Sequence, residues 1–247
     1  MTGSAVTPER RNGYGRIAVP VAWVSAVAAI VTTLLVLLDK GGRPWGDHGP
    51  VMIEGDGDPG PYIFFGTLTL LFLVIATRLW RRDPANSLAR WTAVFAFAVS
   101  SAVVTDMLSS WMLTFRHVTD AALVLRLLGG VWLGVGWSAM LVMLLRFPTG
   151  RRLSRLWRVV EAGGLLGAGL LFLAIFEPGN QDVEPFTSPF VDSPLGAIAE
   201  LGYFGWTLLS FGTLLAILSI VVRAFRARGD ERQQLKWVGF GLVFGWG

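Results

Sequence analysis

The chain has 247 residues, of which 53% are hydrophobic and only 15% are charged, whereas a soluble globular domain carries about 25% charged residues. Because the sequence contains no cysteine, disulfides, thiolate metal sites and cysteine nucleophiles are excluded. The pI is about 10.1, but the basic residues form short clusters between apolar runs, which is typical of membrane topology and not of a nucleic-acid-binding surface. The composition therefore predicts a membrane protein that contacts lipid and binds no nucleic acid.

In chain order, six apolar runs are suited to transmembrane helices, which need about 20 mostly apolar residues. They occupy residues 17–38, 62–80, 91–115, 121–145, 157–176 and 197–222. The first run is longer than the apolar core of a signal peptide, about 7–15 residues, so we interpret it as a retained span. A last run at 237–247 has the character of a seventh span cut short, so we expect a longer parent protein. The sequence thus predicts an all-α, polytopic transmembrane helical bundle at 17–247, with six complete spans and the start of a seventh, behind a tail at 1–16.

The distribution of Lys and Arg predicts the orientation of these spans, because positively charged loops stay on the cytoplasmic side. Of the 21 basic residues, 17 lie in the N-terminal tail and in the connections that follow the second, fourth and sixth spans. The opposite connections hold three, Lys40, Arg43 and Arg116, and Arg126 lies inside the fourth span. We therefore expect a multi-pass protein of the plasma membrane with a cytoplasmic N-terminus.

Among the ionisable residues inside predicted spans, Asp106 in the third and Arg126 in the fourth are the first candidates for a functional charge. The connection between these spans is short, so we expect an antiparallel helical hairpin in which the two residues are neighbours. A pair between Asp106 and Arg126 would offset the cost of placing each charge in lipid. One interpretation is a structural pair, or an Arg126 side chain that extends to the interface. The other is a polar switch that responds to a signal.

Glycine pairs at four-residue spacing occur inside the spans, at Gly130 and Gly134, at Gly163 and Gly167, and at Gly241 and Gly245. Such spacing lets helices approach closely in lipid. It also arises by chance in glycine-rich spans, so helix packing and coincidence both stay open at each pair.

Residues with catalytic or ligand-binding chemistry are sparse. The sequence contains no P-loop, no G-x-S-x-G, no H-E-x-x-H and no kinase-type glycine-rich motif. His48 lies in an acidic connection whose spacing matches no EF-hand or zinc motif, so we expect a solvated loop and no metal or cofactor. Glu161 and Glu200 lie near span edges, where an ion pair or a solvated carboxylate is expected. A proton-relay transporter would instead place acidic groups near the midplane of several helices.

The stretch at 223–237, RAFRARGDERQQLKW, is the most distinctive part of the predicted cytoplasmic side. Gly229 can end the sixth helix, and the acidic pair that follows it suits the N-terminus of a new helix. We consider this stretch a candidate coupling segment, with a short topogenic loop as the alternative. Its candidate residues are Arg228, Glu231, Arg232, Gln233, Gln234, Lys236 and Trp237.

Residues 228–237, RGDERQQLKW, resemble the membrane region of actinobacterial sensor histidine kinases. So does LRFPTGR at 145–151, followed by SRLWR at 154–158. In that family a similar run closes the fourth span and leads into the fifth. An outer loop of the family often carries Asn-Pro-Leu-Gly, where this chain has Ser-Pro-Leu-Gly at 193–196. The resemblance covers roughly residues 145–240.

The resemblance implies a sensory input region that relays a stimulus to a cytoplasmic kinase core absent from this chain. It also implies a homodimer, with a response regulator as partner only through that core. Neither His48 nor His117 suits the phospho-accepting role, because both are predicted to face outward. We therefore expect no catalytic residue and no cofactor in the chain itself. A transporter or permease subunit is the alternative function, and a membrane-embedded enzyme is a third.

Overall fold

A computed structural model describes residues 14–38, 60–84, 86–112, 119–150, 154–173, 194–226 and 229. Within these ranges all regular structure is helical, which confirms the predicted all-α class. The six helices are α1 Tyr14–Leu38, α2 Gly60–Arg82, α3 Ser87–Trp111, α4 Thr119–Arg146, α5 Leu156–Leu171 and α6 Leu195–Arg226. The predicted seventh span at 237–247 and the candidate coupling residues, from Arg228 to Trp237, lie outside the described residues.

Five of these helices, α1, α2, α3, α4 and α6, are long and apolar enough to cross a membrane. Helix α5 has 16 residues, about 24 Å at the usual rise per residue, against a hydrocarbon core of about 30 Å. A multi-pass membrane architecture is therefore established. The count of six complete spans, which includes 157–176, and the cytoplasmic N-terminus stay predictions.

Consecutive helices run antiparallel, so one end of the bundle collects the start of α1, α3 and α5 and the end of α2, α4 and α6. We call this end the basic end, because the described helices carry their arginines within about two turns of it. Arg126, in the first half of α4, is the exception. The arginines at this end are the ones that predicted the cytoplasmic side.

Helices α1, α2 and α3 contact one another around an alanine-rich core. Small side chains allow the close helix packing that drives association in lipid. Polar contacts also join these helices. Trp23 Nε1 donates to Thr77 Oγ1 at 3.0 Å, the hydroxyls of Ser25 and Ser101 are 3.0 Å apart, and Ser25 Oγ lies 3.5 Å from the Phe97 carbonyl. The buried core residues are Val19, Ala22, Ala26, Leu73, Ala76, Ala93 and Ala96.

Helices α3 and α4 form the antiparallel hairpin that the sequence predicted, and α3 is the most buried of the spans. Thr92 Oγ1 lies 3.4 Å from Met143 Sδ near the basic end. Toward the other end, a Cβ added to Gly129 would lie 3.1 Å from Thr105 Oγ1. In an antiparallel pair, each step forward along one helix is matched by a step back along the other. The two facing pairs fit this rule, so α3 and α4 keep the same register at both ends of the hairpin.

Helices α5 and α6 also pack antiparallel, with backbone against backbone. A Cβ added to Gly205 would lie 2.6 Å from the Leu171 nitrogen, and one added to Gly167 would lie 2.7 Å from the Leu209 nitrogen. Of the two alternatives that the sequence left open, close packing is thus the one observed at Gly167. A Cβ added to Gly163, the other glycine of the pair, would have no atom within 4 Å. The second glycine on the packed face is Gly164, three residues before Gly167, and its Cα would lie 3.1 Å from a Cβ added to Gly212.

Helix α4 holds the two parts of the bundle together. Among the described residues, α5 and α6 contact the other helices only through α4. The contact is apolar along most of its length: Trp137 and Trp206 pack edge to face with centroids 5.8 Å apart, and a Cβ on Gly134 would lie 2.8 Å from the Phe172 ring. Near the basic end the contact becomes polar.

Candidate functional site: a polar junction at the basic end

The segment 145–150, LRFPTG, ends α4 and turns toward α5 at the basic end. Its Arg146 is the last residue of α4, and Arg146 Nη2 donates to Glu161 Oε1 of α5 at 2.7 Å. The guanidinium carbon of Arg146 also lies 5.7 Å from the ring centroid of Trp91 in α3, within the range of a cation–π contact. One side chain therefore joins α3, α4 and α5.

Glu161 is a buried carboxylate, with 4% of the residue exposed. Desolvation of a carboxylate is offset only by a well-placed partner, and loss of that partner leaves a stranded charge. The interfacial ion pair that the sequence left open for Glu161 is thus present, and it is largely shielded from solvent. The partner of Glu161, Arg146, is the last residue of α4.

Arg223, in the last turn of α6, is also 4% exposed. Its Nη1 donates to the Phe147 carbonyl and its Nη2 to the Leu145 carbonyl. Carbonyls at a helix C-terminus lack partners within the helix and carry its negative partial charge. The forked guanidinium of Arg223 therefore caps the end of α4 from a different helix.

The first turn of α3 contacts the last residue of segment 145–150, Gly150. Ser87 Oγ donates to the Gly150 carbonyl at 2.6 Å, and Asn86 Oδ1 accepts from the Leu88 nitrogen at 2.8 Å as an N-cap. Gly150 has φ of 76°, and a Cβ there would lie 3.2 Å from both Asn86 Oδ1 and Ser87 Oγ. Glycine meets both the backbone and the packing requirement at this position.

We call this set of contacts the polar junction; it comprises segment 145–150 with Ser87, Trp91, Glu161 and Arg223. It links α3, α4, α5 and α6 through donors and acceptors that engage one another. These contacts couple the positions of four helix ends, and among the described residues of the junction no nucleophile lies beside an activating base. Within the described part of the chain, no group of three or more His, Asp and Glu side chains could hold a metal ion.

The predicted pair, Asp106 and Arg126, lies on the facing helices α3 and α4, toward the end opposite the polar junction. Asp106 is 4% exposed, and its negative charge acts on the Arg126 guanidinium. Arg126 Nη2 is buried and has no hydrogen-bond partner among the described residues. The fold thus brings the two charges near each other, and their role as a switch stays a prediction.

For Glu161, the sequence left an ion pair and a solvated carboxylate as alternatives, and the structure shows the ion pair. The role of Arg223 was missed. Nothing in the sequence separates Arg223 from the other arginines that mark topology, because its partners are main-chain carbonyls 76 and 78 positions away. The two histidines, His48 and His117, lie outside the described residues.

No known protein family, curated protein or solved structure gives a significant match to the chain.

Proposed function

We propose that the chain is the membrane-embedded sensory input region of a sensor histidine kinase, which relays a stimulus to a cytoplasmic kinase core. One observation carries the proposal. The LRFPTG segment, on which the resemblance to actinobacterial sensor kinases partly rests, is the segment where four helices are joined by polar contacts. In this proposal the polar junction lies on the cytoplasmic side of the plasma membrane, next to the candidate coupling segment at 228–237.

Signal relay requires an element with two arrangements whose balance a stimulus can shift. A buried ion pair and a guanidinium on helix-end carbonyls are suited to this role, because their energies depend steeply on geometry. A displacement of any of the four helices changes the contacts of segment 145–150. The expected homodimer and the response regulator belong to the same proposal, the latter through the kinase core.

A transporter or permease subunit is the alternative, and Asp106 is the observation that favours it, because buried carboxylates mark transport pathways in membranes. The hydroxyls near it in α3 weigh against this alternative. Ser100 Oγ donates to the Ala96 carbonyl at 2.7 Å, and Thr105 Oγ1 donates to the Ser101 carbonyl at 2.9 Å. A hydroxyl that donates to its own helix has no donor left for a passing substrate.

The proposal is tested with the full-length protein in lipid nanodiscs and radiolabelled ATP. We expect phosphate to be incorporated on histidine by a core encoded beyond residue 247. We also expect Glu161→Gln to change the rate of incorporation while the affinity for ATP stays the same. The matched control is Glu200→Gln, which alters an exposed carboxylate of α6. A coding region that continues into further spans and a short tail, with no kinase core, would rule out the proposal.

A further inference from the structure

The contacts between helices divide the described bundle into two bodies. The first body consists of α1 to α4, because α1, α2 and α3 contact one another and α3 packs against α4. Helices α5 and α6 form the second body, since glycine contacts bring their backbones within van der Waals distance: an added Cβ on Gly212 would lie 3.1 Å from the Gly164 Cα. We expect α5 and α6 to move together, because closely packed backbones cannot change rotamer to make room for sliding, as side chains can.

The second body meets the first only along α4, within the described residues. Most of that surface is apolar, with Leu141, Leu145 and Ala216 in one buried cluster. Polar contacts between the two bodies lie at the basic end, where Glu161 binds Arg146 and Arg223 binds the carbonyls of Leu145 and Phe147. Because hydrogen bonds are directional, these contacts add a constraint on the orientation of the α5–α6 pair to that of the apolar packing.

We propose that Arg223 is a latch that holds the α5–α6 pair, as one body, in a fixed orientation against the end of α4. The Arg223 side chain also has a second favourable position. Arg223 is in the last turn of α6, and Arg226, three residues later, is exposed. The long aliphatic part of a released Arg223 side chain can therefore place the guanidinium in the interfacial water. Both Nη groups of Arg223 thereby have acceptors in either arrangement, carbonyls when latched and water when released. Two arrangements that each satisfy these donors can exchange without leaving them unpaired.

This inference goes beyond the proposed function and does not depend on it, because it concerns the movement of helices and not the output. Release of the latch would swing the end of α6 against the end of α4. The polar junction then acts as a conformational device whatever domain follows.

The test uses spin labels and pulsed electron–electron distance measurement on the chain in nanodiscs, where the absence of native cysteine leaves no background labelling. One label pair spans the two bodies, at Arg82→Cys of α2 and Phe225→Cys of α6; Phe225 is 86% exposed. The other pair lies within the second body, at Arg158→Cys of α5 and Phe225→Cys. The exposed Arg82 and Arg158 are at the basic end.

With Arg223→Ala, we expect the distance between the bodies to shift by about 2 Å or more, or to gain a second population. The distance within the second body should stay unchanged. Arg226→Ala is the matched control and should alter neither distance. If Arg223→Ala does not fold, Arg223→Lys keeps the charge but loses the planar fork, and the same pattern is expected at smaller amplitude.

Three results would overturn the latch. An unchanged distance between the bodies means that Arg223 does not fix the orientation. An equal change in both distances means that the end of α6 unwinds locally. An effect of Arg226→Ala as large as that of Arg223→Ala means that charge at the basic end matters and the contact with α4 does not.

Discussion

Glu161 and Arg146 form an ion pair of 2.7 Å between α5 and the last residue of α4, with side-chain exposures of 6% and 18%. Removal of one member of a fully buried pair costs about 3–5 kcal/mol. Because Arg146 is partly exposed at the end of its helix, we expect Glu161→Ala to lower the free energy of unfolding by about 2 kcal/mol. Unfolding in mixed micelles measures this loss.

The matched control for this prediction is Glu200→Ala, which removes an exposed carboxylate from α6 and should change stability by less than about 0.5 kcal/mol. The double variant Glu161→Leu with Arg146→Met should be more stable than either single variant, since it leaves no stranded charge. Equal losses for Glu161→Ala and Glu200→Ala would show that the pair contributes nothing.

Gly205→Ala should separate α5 from α6. The added Cβ would lie 2.6 Å and 2.7 Å from main-chain atoms of α5, so the backbones must move apart, at a cost of about 1–3 kcal/mol. The control is Gly163→Ala, where an added Cβ has nothing within 4 Å and better helix propensity should stabilise by up to about 1 kcal/mol. Thermal unfolding midpoints rank the two variants, and the opposite ranking contradicts the close packing.

Asp106 and Arg126 should be energetically coupled. In the single variants Asp106→Asn and Arg126→Gln, one charge is left in the span without its partner, so both should destabilise. The double variant should lose less than the sum, with a coupling of about 0.5–3 kcal/mol. Additive losses in this cycle would show that the two charges act separately, and a wild-type signalling response of Asp106→Asn would remove the predicted switch.

The orientation of the spans can be read from single cysteines, since no native thiol competes. A membrane-impermeant maleimide should label Asp47→Cys in intact cells. It should label Arg226→Cys only after the membrane is opened, because the basic end is predicted to be cytoplasmic. The reverse pattern would refute the predicted orientation, and labelling of both in intact cells would refute the span count between them.

Helix positions were largely predictable, because hydrocarbon thickness sets the length of an apolar run. The second predicted span, 62–80, is observed as α2 Gly60–Arg82. The third prediction, 91–115, began too late, since α3 starts at Ser87 behind the Asn86 cap; a capped polar turn outside the lipid carries no apolar signal. Helix boundaries in the interface therefore follow capping chemistry, which hydropathy does not measure.

Contacts between helices were less predictable. Glycine spacing left close packing at Gly167 as one of two alternatives, and it did not show that the neighbour is Gly205 of the next helix. A helix that is apolar on all sides carries no sequence pattern that reveals which face meets a neighbour. Arg223 was counted as a topological charge for a similar reason. Its partners are carbonyls, which every residue has, so only the fold reveals that two of them are within reach.

The contact between Ser87 and Gly150 has a consequence for the length of the chain between α4 and α5. The Gly150 nitrogen donates to the Arg146 carbonyl at 2.7 Å while its own carbonyl accepts from Ser87. One inserted residue would carry Gly150 away from the first turn of α3 and put a side chain where φ is positive. Insertions are tolerated where backbone groups are exposed and unbonded. Positions 147–150 are therefore a poor place to introduce a tag or a reporter, because these contacts fix the number of residues between the end of α4 and Gly150.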